Sequence, residues 1–170
     1  QGRLAREPLH WKLRILDPNA GYLADQLVCL RLIVSALGPQ IPVIQTIFSP
    51  LSQAKNLVGR DNLIVHIRRH PRELMAGLKT IAESTQRFVE SASQIGIAGI
   101  FYAVQHAQYG LLTESEYETF GRAYDLPVLE PAGDLWLNML HLHGEHVMFD
   151  CFLDYPVAVI NWHDQETWPS

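Results

Sequence analysis

The stretch from Pro42 to Gly59, PVIQTIFSPLSQAKNLVG, passes from strand to helix with no loop between them. Pro42 to Phe48 is short, apolar and rich in β-branched residues, the pattern of a strand buried on both faces. Ser49 follows at once as an N-cap. Pro50 takes the first helical position, where its missing N–H costs nothing. A buried strand that feeds straight into a helix is the first half of a βαβ unit. Three further runs have the same character: Ile97 to Gln105 (IAGIFYAVQ), Leu135 to Leu142 (LWLNMLHL) and Val157 to Trp162 (VAVINW). Helical patterns lie around and between them. Gly21 to Leu37 carries Leu23, Leu27, Leu30 and Val34 on one face and stops at Gly38-Pro39. A short helix begins at Asp61. A long one begins at His70-Pro71, keeps Leu74, Leu78, Ile81, Phe88 and Ala92 in helical spacing, and ends at Gly96. Thr113 to Glu116 reads as a capping box, and Val147 to Leu153 as a brief helix.

Apolar strands alternating with helices predict an α/β fold with a parallel sheet and right-handed crossovers. The sheet is either doubly wound and open or part of a closed barrel, in a single domain. Neither GxGxxG nor GxxxxGK[ST] follows any strand, so the nucleotide-binding versions lose weight. The chain has 170 residues, 48% hydrophobic and 18% charged, which is ordinary for a globular protein. Its net charge of -5 gives no electrostatic reason to expect nucleic acid or an anionic membrane as partner. The longest apolar stretch, Leu27 to Leu37, is interrupted by Arg31 and is too short to span a bilayer. Cys29 and Cys151 read as buried thiols, which suits a reducing cytoplasm. There is no GxSxG, CxxC or HExxH, so hydrolase triads, thioredoxin chemistry and zincin chemistry have no support.

In either architecture chemistry belongs at the carboxyl ends of the strands. The first end offers Thr46, Ser49 and Lys55, and the second Gln105, His106 and Gln108. The third offers His141, His143, Glu145 and His146, and the fourth Asn161, Trp162, His163 and Asp164. His141 and His143 stand two apart on a strand and so point to the same side. Together they can ligate one divalent metal. Alternatively one shuttles protons while the other orients a substrate, or both are polar lining of a wet cavity. His163-Asp164 suggests an imidazole oriented by a carboxylate, yet neighbours on an extended chain point apart; a loop histidine before an N-cap aspartate looks the same. Trp162 is a stacking wall for a flat ligand or part of the core. Gln105 ends a buried strand, where its amide finds partners in a ligand or in a polar layer. The catalytic candidates are therefore His141, His143 and His163. The substrate-binding candidates are Ser49, Lys55, Gln105, Asn161 and Trp162, and the metal candidates are His141 and His143. Arg68-Arg69-His70 reads as a solvated face.

The runs PVIQTIFSPLSQAKNLVG, IAGIFYAVQHAQYGLLTESEYETFGRAYD, NMLHLHG and VAVINWHDQETWPS resemble the uroporphyrinogen decarboxylase superfamily, in its order and spacing from Ile41 to Ser170. The resemblance implies a (β/α)8 barrel. The superfamily includes a cofactor-free decarboxylase of porphyrin biosynthesis, a lyase that removes carboxyl groups from a tetrapyrrole. It also includes zinc-dependent methyltransferases acting on corrinoid proteins or thiols. In the methyltransferase branch one strand ends in His-x-Cys-Gly and supplies two zinc ligands. His141-Leu142-His143-Gly144 fits that frame with His143 in place of the cysteine. In the decarboxylase branch Asn161-Trp162 resembles an Asp-Trp pair, and Lys55 stands near the position of a tyrosine. The resemblance thus implies zinc in one branch and no cofactor in the other, with a small molecule as substrate.

A complete (β/α)8 barrel needs about 250 residues. Four strands leave open edges and a bare inner face, and the expectation is a partial barrel that is not competent alone. Such edges recruit another chain. The expected partner is a second copy in a two-fold dimer, or the remaining barrel strands.

Overall fold

The computed structural model describes residues 7–169; Ser170, the last residue of the final resembling run, lies outside them. Its centre is one four-stranded sheet in the order β1-β2-β3-β4, parallel throughout. The strands are β1 (Ile44–Phe48), β2 (Gly99–Val104), β3 (Met139–Leu142) and β4 (Val159–Trp162). All four expected runs form strands, and each strand starts after its run begins. At β3 the cause is visible. Asn138 gives its side-chain amide to the Ala132 and Leu135 carbonyls and accepts from the Ile100 N–H. Leu135 to Leu137 are thereby held in a turn, with Trp136 exposed.

The helices are α1 (Gly21–Leu37), α2 (Pro50–Val58), α3 (Arg60–Arg69), α4 (Pro71–Ser93), α5 (Glu114–Tyr117) and α6 (Ala123–Leu129). Ser49 caps α2 by accepting from the Ser52 N–H, and the Thr113–Glu116 capping box opens α5 as its spacing predicts. Val147 to Leu153 is a correction. Only a 3-10 turn forms, over Phe149–Phe152, because Val147 bridges Gln108 and the Met148 N–H donates to the Ala107 carbonyl. Cys29 is a second correction: it is exposed on α1, which buries only Leu27 and Leu30, and Cys151 is half-buried. Among the described residues no helix is long and apolar enough to cross a membrane.

The two faces of the sheet differ sharply. Ile47, Tyr102 and Leu140 lie in one row and Val104 and Leu142 in the next, all buried against the helices. The main covering helix is α4, which buries Leu74, Leu78, Ile81, Phe88 and Ala92. Trp11 packs on α4 at Gly77, where a Cβ would come within 2.4 Å of its ring. The opposite rows read Thr46, Phe101, Met139, Val159 and then Phe48, Ala103, His141, Asn161. Here Phe48 is 41% exposed, and Thr46 and Asn161 are exposed too. This is the face that turns inward in a closed barrel, and it carries the polar residues.

A buried carboxyl lies on the helical side. Asp125 of α6 accepts hydrogen bonds from Tyr102 (2.7 Å), Tyr117 (2.6 Å) and Tyr155 (3.0 Å). Tyr117 reaches it by lying over Gly121, where a Cβ would come within 2.3 Å of the ring.

Candidate metal centre

Strand alternation turns His141 to the inner face and Leu142 to the core. The His143 N–H donates to the Val104 carbonyl at 2.9 Å, so the ladder runs one residue past β3 and brings His143 to the same side. Gly144 then bends the chain away with φ +108°. A Cβ there would lie 2.2 Å from the Gln108 amide nitrogen and would push that amide aside. That nitrogen donates both to the Gln105 carbonyl (2.9 Å) and to the His143 carbonyl (3.2 Å), which joins the loops after β2 and β3.

His163, immediately after β4, completes a group of three. One ligand nitrogen from each of His141, His143 and His163 lies within 4.8 Å of the others. His163 Nε2 and His143 Nδ1 share a hydrogen bond of 3.1 Å. Asn161 Oδ1 sits 2.7 Å from His141 Nδ1; an amide oxygen accepts, so that nitrogen carries a hydrogen and Nε2 is the one left to ligate a metal. A turn in which the Glu166 and Thr167 N–H groups donate to the His163 carbonyl brings Glu166 back toward the ring. Its Oε2 lies 3.7 Å from His163 Nδ1. The carboxylate beside His163 is thus Glu166 and not the adjacent Asp164, as neighbours pointing apart on an extended chain would have it. Glu166 was legible only through its turn spacing from His163. Burial, then the neighbouring His163 and His141, hold the His143 imidazole below its ordinary pKa, which favours the neutral form a metal needs. Nitrogens sharing a tetrahedral zinc lie about 3.3 Å apart, so small side-chain rotations would close the set. Three imidazoles, with Asn161 hydrogen-bonded to one and Glu166 near another, fit a divalent ion of zinc type.

The other candidates separate by location. Lys55 and Gln105 line a cleft of about 400 Å3 beside His143. Ser49 is buried, with its hydroxyl 2.8 Å from that of Ser52, and acts as a helix cap rather than facing the cleft. Asn161 holds His141. Of the two readings of Trp162, its place is that of the core: it pairs with Leu142 in the core-facing row, on the opposite side from the histidines. Its Nε1 donates to the Pro169 carbonyl at 2.6 Å, and its ring meets Phe149 edge-on at 5.2 Å. It is partly buried and packs against the core.

No curated protein matches this chain. Among solved structures, a methyltransferase from Methanosarcina mazei superposes with a TM-score of 0.74 at 16% sequence identity. The match covers 89% of this chain and 44% of that one, so the chain spans less than half the length of that protein. At such identity the likeness shows the fold, a partial TIM-barrel-like α/β structure. The family model described as uroporphyrinogen decarboxylase matches residues 4–164, and the chain belongs to that family.

Proposed function

We propose that this chain carries the metal-holding part of a zinc-dependent methyltransferase site, with His141, His143 and His163 as ligands. The observation that supports it is the convergence of three imidazoles, from two strand ends, on the inner face. Zinc bound there supplies a Lewis acid that lowers the pKa of a thiol acceptor and so favours the nucleophilic thiolate. The chain's own residues do the positioning. Asn161 orients His141 through its hydrogen bond to Nδ1, and Glu166 places a carboxylate 3.7 Å from His163 Nδ1. Gln108 and Gly144 hold His143 at the mouth. The activity and the small-molecule substrate of the whole protein are part of this proposal, because the chain spans under half of its methyltransferase neighbour.

Cofactor-free decarboxylation, the reaction that gives the family its name, is the second reading. In it the same histidines act as proton carriers at the barrel mouth, with no metal. Calorimetric titration with Zn2+ separates the two. The first reading expects one zinc per chain, with binding abolished in the His141→Ala/His143→Ala double variant. Absent binding, or equal stoichiometry and affinity in both proteins, rejects the metal.

A further inference from the structure

The cleft beside the histidines contains two buried polar atoms without partners. His106 is 3% exposed, and its Nδ1 makes no hydrogen bond; nor does the Oε1 of Gln105 next to it. Buried groups of this kind are rarely left unpaired, since each costs the desolvation of a polar atom with nothing returned. The same cleft is lined by Lys55, near the end of α2, by Arg60, which opens α3, and by the carboxylates Glu145 and Glu166, the latter turned toward His163. Neither Lys55 nor Arg60 forms an ion pair among the described residues, whereas Arg68, Arg87 and Arg122 all do. Burial, then Lys55 and Arg60, push His106 down to about 4, so its ring is neutral at physiological pH. Two cations outside any ion pair among the described residues thus share the cleft with a neutral imidazole and an unused amide oxygen.

We propose that this cleft is the recognition subsite for a small oxyanionic ligand, whose anionic group lies between Lys55 and Arg60 and whose hydrogen-bond donor reaches Gln105 Oε1. His106 completes the contact with the ligand, and the free end of the ligand points to His143, which lines the same cleft. A hydroxycarboxylate and a phosphorylated compound share this chemistry. As a substrate subsite it rests on the methyltransferase reading, but binding of the anion does not require the metal.

The test follows the imidazole resonances of His106 by NMR in the metal-free chain, titrated separately with glycolate, acetate and inorganic phosphate. A saturable shift with glycolate or phosphate is expected. In Lys55→Gln/Arg60→Gln it should weaken by about tenfold or more. Tighter phosphate binding assigns the oxyanion to a phosphoryl group, and tighter glycolate binding assigns it to a carboxylate. Glycolate should bind more tightly than acetate, and Gln105→Leu should erase that difference. The His141→Ala/His163→Ala variant, which leaves the cleft lining intact, should lose zinc and keep the anion. Failure of the metal reading would then leave this result standing. No saturable shift with either anion, or a shift unchanged in Lys55→Gln/Arg60→Gln, overturns the subsite. Equal affinity for glycolate and acetate overturns the role of Gln105.

Discussion

Replacing Asp125 by asparagine should remove a specific slope from the stability of this protein against pH. Asp125 is fully buried, and burial raises its carboxyl from an ordinary 3.8 to about 6, against the opposing pull of its three tyrosine hydroxyls. At about 1.4 kcal/mol per tenfold change in proton affinity, the ionised form costs about 3 kcal/mol in the folded chain. The sign follows from linkage. A raised folded-state pKa means that the folded state holds the proton more tightly than the unfolded one. The stabilisation is complete below about pH 4 and is lost as pH rises through about 6. Asparagine has the shape of the neutral acid. Its amide can donate to two of the tyrosine oxygens while its carbonyl accepts from the third, so the variant keeps its partners. Urea unfolding of both proteins at pH 4, 5, 6 and 7 measures the effect. Differences between the two cancel most of the contribution of other carboxyls. The gap should shift by about 2 kcal/mol between pH 4 and 7, in favour of the variant at high pH. Parallel curves would show that Asp125 keeps its proton, or loses it, over that whole range, and that the burial argument is wrong.

Gly144→Ala should cost about 1–3 kcal/mol, because φ of +108° is strained for alanine and the new Cβ displaces Gln108. A lowered urea midpoint together with weaker zinc binding checks it, and an unchanged midpoint refutes it. Thr113→Ala removes the capping hydrogen bond to the Glu116 N–H and should cost about 1 kcal/mol in the same assay. The open inner face and the two unpaired edges, β1 and β4, predict self-association or pairing with further barrel strands. Covering several hundred Å2 of apolar surface is worth on the order of 10 kcal/mol. Sedimentation at micromolar concentration should show a dimer, and a monomer at every concentration would count against that interface.

Local patterns made most of the fold legible. The βα junction at Phe48-Ser49-Pro50 needs only strand composition and cap chemistry, both of which act over a few residues. His141 and His143 were legible because alternation on a strand is geometric and independent of what lies around it. Trp162 had two open readings, core or ligand wall. Alternation puts it opposite Asn161, but which face held the site depended on the histidines of the neighbouring strand. The partner of His163 required a turn whose path the dipeptide His163-Asp164 does not specify. The Asp125 cluster was invisible for a related reason. Tyr102, Tyr117 and Tyr155 come from a strand, a short helix and a loop, and meet only when the sheet has its helical cover. Arg60 was missed because a helix opening with Arg after Gly59 carries no pattern that points to a cleft.

The strand order repeats the order of the chain, and this bears on how the sheet is made. Each strand pairs with the one just before it, so no strand must wait for a partner still to come. As the polypeptide leaves the ribosome, β2 finds β1 already available, β3 finds β2, and β4 finds β3. Growth from one side alone keeps loop closures to neighbouring segments, which limits the entropy each step must overcome. The histidine centre draws on β3 and β4 and therefore assembles after β1, β2 and the long covering helix, on a sheet surface those elements have already formed.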